Sequence, residues 1–92
     1  MIRSFRSKAL RRFFQTGDDS KLSVPNTARV RRQLVALHVA QPPQDMNFPG
    51  WGFHALKGEM KGRYAVSASG NWRITFAWDD VDAVEVDLED YH

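Results

Sequence analysis

Two histidines, two cations and a short polar run stand out in this 92-residue sequence as groups able to move protons and hold a phosphate. His54 follows Pro49-Gly50-Trp51-Gly52-Phe53, and Lys57 comes three residues after it. Arg73 lies in Asn71-Trp72-Arg73-Ile74, and the sequence closes on Asp90-Tyr91-His92. Metal-free RNA cleavage asks for a base to take the 2′-hydroxyl proton, an acid for the departing 5′-oxygen, and fixed positive charge on the phosphorane between them. His54 and His92 suit the proton transfers because imidazole titrates near neutrality. Asp90 and Tyr91 can orient them or move protons themselves, while Lys57 and Arg73 can clamp the phosphate. Sequence spacing does not show that His54, Arg73 and His92 converge. A competing reading makes Arg73 an exposed strand arginine paired with Glu85 or Asp87 across a hairpin.

Other constellations fall short. Asp79-Asp80-Val81-Asp82 lacks the glycine and the glutamate of a calcium loop, so it reads as a solvated turn. Neither a phosphate-binding glycine loop nor a nucleophile elbow is present, and no metal or cofactor is expected. His38 falls inside a helical stretch and reads as structural. The tryptophans could stack on bases, but Trp72 and Trp78 are in phase with Ile74 and Phe76 and read as core. Trp51 is less settled.

These groups need elements to position them. Ile2 to Phe5 reads as a short first strand, followed by a helix from Lys8 to Thr16 between a Ser7 cap and a Gly17 stop. Val30, Leu34 and Leu37 recur at helical spacing, predicting a second helix opened by Pro25 and running to about Ala40. Three prolines and Gly50 make 41–52 an ordered connector without regular structure. From Arg63 onward the period changes from 3.6 to 2. Tyr64, Val66 and Ala68 form the apolar side of one strand, and Trp72, Ile74, Phe76 and Trp78 that of the next. Gly70-Asn71 is the two-residue turn between them. Val84, Val86 and Leu88 predict the buried side of a third strand, and 52–56 can add a short one. The expected architecture is one α+β domain over residues 1–92, β-α-α-β-β-β(-β), with two N-terminal helices packed on a small twisted antiparallel sheet.

A chain of 92 residues buries roughly 60 to 65% of its unfolded surface, so any active site should be shallow and its substrate large. With 42% hydrophobic and 26% charged residues the chain has the composition of an ordinary globular protein rather than a disordered one. No apolar run approaches a membrane span and no signal peptide is apparent, so no membrane role and a cytoplasmic location are expected. The absence of cysteine excludes disulfides and thiol catalysis. Residues 1–40 carry nine Lys/Arg against two Asp, whereas 79–92 carry seven acids and no Lys or Arg. The molecule therefore reads as electrically two-sided, with a basic half suited to phosphate backbones.

Met1-Ile2-Arg3-Ser4-Phe5, His54-Ala55-Leu56-Lys57-Gly58, Asn71-Trp72-Arg73-Ile74-Thr75-Phe76 and Asp90-Tyr91-His92, in this order, resemble HigB toxins of the RelE/ParE superfamily from type II toxin–antitoxin systems. The resemblance covers essentially the whole chain. It implies a RelE-like fold and a ribosome-dependent, metal-independent mRNA endonuclease that cuts in the ribosomal A site by 2′-hydroxyl attack and so inhibits translation. His54, Asp90, Tyr91 and His92 match the family's catalytic residues, with His92 the general acid and the base unassigned. Lys57 and Arg73 would stabilise the phosphate and Asn71 would contact mRNA. The other Lys and Arg, chiefly on the helices, would grip ribosomal RNA. The resemblance also implies a helix-turn-helix HigA-type antitoxin, with operator DNA reached only through it. Two alternatives are a ParE-like DNA gyrase poison, which needs no histidine pair, and a non-catalytic basic RNA-binding or co-repressor module in which the histidines are incidental.

Overall fold

The computed structural model describes residues 1–90, so the expectations for Tyr91 and His92 lie outside the described residues. α1 spans Lys8–Thr16 with the predicted ends. The Ser7 hydroxyl accepts from the Leu10 N–H at 3.1 Å, and Gly17, at φ +82°, returns its N–H to the Phe13 carbonyl at 2.8 Å. α2 spans Thr27–Val39 and starts two residues later than the expected opening at Pro25. Asn26 caps it by accepting from the Arg29 N–H at 3.1 Å, a bond that proline has no side-chain acceptor to make. In the connector, Pro43–Met46 winds into a single 3₁₀ turn that sinks Pro43 and Met46 into the core.

Four antiparallel strands follow in sheet order β1-β2-β3-β4: His54–Ala55, Arg63–Ser69, Trp72–Asp79 and Asp82–Asp90. Gly70-Asn71 closes the β2–β3 hairpin, with Gly70 at φ +57°, and Asp80-Val81 closes β3–β4. This is the expected α+β arrangement, with two corrections.

The first concerns β4. Thr75 pairs with Asp87 and Ala77 with Val84, so Glu85 and Val86 together oppose Phe76 in a bulge, with Glu85 at φ +53°. The extra residue resets the alternation. Ala83 and Val86, not Val84 and Val86, are the fully buried pair.

The second concerns residues 2–5, which form no strand. Ile2 and Phe5 make isolated parallel bridges to Ala83 and Val86. Between them the bulge breaks the ladder, and the Ser4 hydroxyl takes over by accepting the Glu85 N–H at 2.9 Å.

Both helices pack on one sheet face. Leu10 and Phe13 of α1 and Val30, Leu34 and Leu37 of α2 close over Val66, Ile74, Phe76 and Val86. Trp72 and Trp78 are half-buried at the margin of this cluster rather than enclosed by it, and Trp51 joins them there. Among the described residues no helix is long and apolar enough to cross a membrane.

Candidate active site

The sheet face turned away from the helices carries the groups of interest. Residues paired across antiparallel strands point to the same side. His54, Ala65, Thr75 and Asp87 therefore form one row across the sheet, and Ser67, Arg73 and Glu89 the next. Two shallow hollows open around these rows. One, of about 300 Å³, is lined by His54, Arg73, Asn71, Trp72, Ser67 and neighbours; the other, of about 340 Å³, by His54, Arg73, Lys57, Leu56 and Met60. His54 and Arg73 border both, with Lys57 to one side and Asn71 to the other. Four of the residues singled out in the sequence are thus brought together by the fold.

His54 is exposed, and its Nδ1 lies 2.8 Å from the Gly52 carbonyl oxygen. A carbonyl only accepts, so Nδ1 carries the proton and donates it, leaving Nε2 as the atom able to take or give a proton. Gly52 sits at φ +59°, a conformation glycine adopts without strain, and the resulting turn aims its carbonyl back at the ring.

Asp90 belongs elsewhere. By register it faces Trp72, one step out of phase with Arg73, so it sits on the alternate side of β4 from the His54 and Arg73 rows. Glu89 occupies the position opposite Arg73, and Asp87 lies opposite Thr75. The expectation that Glu85 or Asp87 lies across from Arg73 is corrected by this register, in which Glu89 takes that position. Glu85 instead pairs with Arg6 at 3.6 Å.

Sequence reasoning missed a polar chain on this same face. Arg63 Nη2 donates to Thr75 Oγ1 at 2.9 Å and to the Glu85 carbonyl at 2.8 Å, and Thr75 Oγ1 donates to Glu89 Oε2 at 2.5 Å. Arg63 and Thr75 are buried. Burial, then the nearby Arg6 charge, pushes the Arg63 guanidinium down from its ordinary value, while Glu89, Asp87 and Glu85 oppose that shift. The only signal in the sequence was the recurrence of polar residues on one side of adjacent strands, which becomes readable once the register is known.

His38 is structural, as expected. Its Nδ1 accepts the Ile2 N–H at 3.1 Å and its ring lies against Phe14 at 5.4 Å. The two-sided charge layout is only partly preserved in three dimensions. Arg3 pairs with Asp79 and Asp82, Arg6 with Glu85, and the Met1 amino group with Asp82, so the basic start and the acidic strand meet rather than face apart. Lys8, Arg11, Lys21, Arg31 and Arg32 remain exposed on the helical half.

Two helices on one face of a four-stranded antiparallel sheet form an α+β fold consistent with the RelE-like class of toxin. Residues 3–92 match the family model for the RelE-like toxin HigB of type II toxin–antitoxin systems, and the chain belongs to this HigB-like family. It is similar to the Endoribonuclease HigB of Proteus vulgaris, with 34% identity over 92 residues covering 100% of both chains. The four-segment resemblance in the sequence therefore led to the right family. A member of such a system has an antitoxin as its counterpart.

Proposed function

We propose that this toxin is an endoribonuclease that cuts mRNA in the ribosomal A site. The observation that carries this reading is that His54 and Arg73 border the same two hollows, with Lys57 and Asn71 flanking them. A phosphodiester laid across the open face meets a proton-transfer atom, His54 Nε2, and two cations. His54 Nε2 removes the 2′-hydroxyl proton; the 2′-oxygen then bonds to phosphorus while the bond to the 5′-oxygen breaks. The products are a 2′,3′-cyclic phosphate and a 5′-hydroxyl. Arg73 and Lys57 stabilise the extra negative charge of the phosphorane. His92 protonates the leaving oxygen, with Tyr91 and Asp90 orienting the end of the chain, and Asn71 contacts the mRNA.

The hollows are wide open to solvent, which fits a substrate held largely by something else, here the ribosome. The exposed arginines and lysines of the helical half grip ribosomal RNA through its phosphates. A HigA-type antitoxin with a helix-turn-helix neutralises the toxin and carries the complex to operator DNA.

The test is a reconstituted translation reaction in which mRNA ends are mapped by primer extension with and without ribosomes. New ends that need ribosomes, carry a cyclic phosphate and vanish for His92→Ala support the reading. Intact mRNA under active translation would overturn it, and a gyrase-cleavage assay would then decide for the poison.

A further inference from the structure

We propose that Arg29 and Gln33 of α2 are positioning residues for His54, acting through a clasp that fixes the glycine-rich loop in front of it. This deepens the reading above and depends on it for His54's role in cleavage, though not for the clasp itself.

Arg29 was expected among the cations that face RNA, yet it is half-buried and turned inward. Its Nη2 donates to the Gly50 carbonyl at 2.8 Å and to the Ser67 carbonyl at 3.2 Å, and its Nε reaches the same Ser67 carbonyl at 3.3 Å. One helical turn on, Gln33 donates Nε2 to the Ser67 carbonyl at 2.7 Å. Ser67 in turn donates its backbone N–H to the Trp51 carbonyl at 2.7 Å. The carbonyls of Gly50 and Trp51 are thereby tied to β2 and α2. The next carbonyl along, that of Gly52, accepts from His54 Nδ1.

The loop needs such fixing. Gly50 and Gly52 both lie at positive φ, +82° and +59°, in a stretch where glycine makes many other conformations accessible. Without the clasp, the Gly52 carbonyl would lose the orientation that keeps the proton on Nδ1 and Nε2 open to the hollow. Arginine suits the task because its planar fork bonds two carbonyls at once, which a lysine cannot reproduce. Gln33 is fully buried, and its Oε1 has no partner among the described residues. Stability alone would favour a leucine there. What the glutamine contributes instead is its bond to Ser67.

The test uses the full chain as wild type, Arg29→Lys and Gln33→Leu. Long-range ¹H–¹⁵N NMR reads which His54 nitrogen bears the proton, with assignment from His54→Ala. The expected result is an Nδ1–H ring in the wild type and a mixture containing Nε2–H in both variants. Single-turnover cleavage of ribosome-bound mRNA should fall about tenfold in each at saturating protein, with the half-saturating concentration unchanged. A wild-type His54 carrying its proton on Nε2, or variants that keep the wild-type tautomer, would overturn the proposal. Because the tautomer is read without any cleavage, an inactive wild type would count against the proposed function and leave the clasp to be judged on the NMR alone.

Discussion

His54 and Arg73 stand on the same face of the sheet with only β2 between them, His54 opposite Ala65 and Arg73 opposite Ser67 two positions further along that strand. Both border the same two hollows, so a phosphodiester laid there can touch both. Neither residue has a short-range sequence relationship to the other. The antiparallel register alone makes them neighbours.

Arg73→Ala should lower the single-turnover cleavage rate about 10²- to 10³-fold, the usual effect of removing one charge-stabilising donor, while ribosome affinity changes little. Rapid-quench kinetics with ribosome-bound mRNA separates the two. A loss confined to affinity would make Arg73 a docking contact.

His38 serves as the internal contrast. His38→Ala removes the acceptor of the buried Ile2 N–H and the ring packed on Phe14, so urea unfolding should show a loss of about 1–3 kcal/mol. The cleavage rate of the folded fraction should stay at the wild-type value.

Thr75→Val deletes both bonds that its hydroxyl makes, to Arg63 and to Glu89. The buried guanidinium then keeps the Glu85 carbonyl and loses the hydroxyl, which should cost about 1–3 kcal/mol in urea unfolding. Thr75→Ser, which keeps the hydroxyl and gives up only the γ-methyl, should retain most of that stability, and a Thr75→Val variant as stable as wild type would contradict the assignment.

The elements legible from sequence were those set by local chemistry. Ser7 and Gly17 bounded α1 because a cap hydroxyl and a left-handed glycine act on their immediate neighbours, and Gly70-Asn71 set the hairpin for the same reason. The phase of β4 was not legible, because Glu85 at positive φ inserts a residue that no alternation pattern anticipates. Asp90 consequently falls out of step with Arg73 while Glu89 falls in. The Arg63–Thr75–Glu89 chain escaped notice because polar residues on a strand read as solvent-facing until the partner strand is placed. Arg29 was misread for a related reason: nothing local distinguishes an arginine that bonds carbonyls within the fold from one that faces RNA. His54, Lys57, Asn71 and Arg73 were recognisable as suitable chemistry, and the register gathered them.

Acid should weaken the α1 end through Asp18. Hydrogen bonds from Arg12 and Ser20 hold its carboxyl well below its ordinary value of 3.8. A lowered folded-state value means that the ionised form stabilises the fold above the unfolded-state value, and that this stabilisation is lost as the pH falls below it. Asp18→Asn should therefore reduce Tm at pH 7, and the gap from wild type should narrow as the pH is taken below 4. A gap that widens in acid would contradict the assignment. The pair is exposed, so the effect should be small and diminish with salt.

The most direct measurement is single-turnover cleavage of ribosome-bound mRNA by wild type and His54→Ala at matched ribosome occupancy. Wild type should release a 5′-hydroxyl fragment, and His54→Ala, still folded and bound, should cleave at least about 10²-fold more slowly, as removal of a proton-transfer group requires. Cleavage by His54→Ala at the wild-type rate would contradict the account, because the open sheet face would then hold no essential proton-transfer atom at His54.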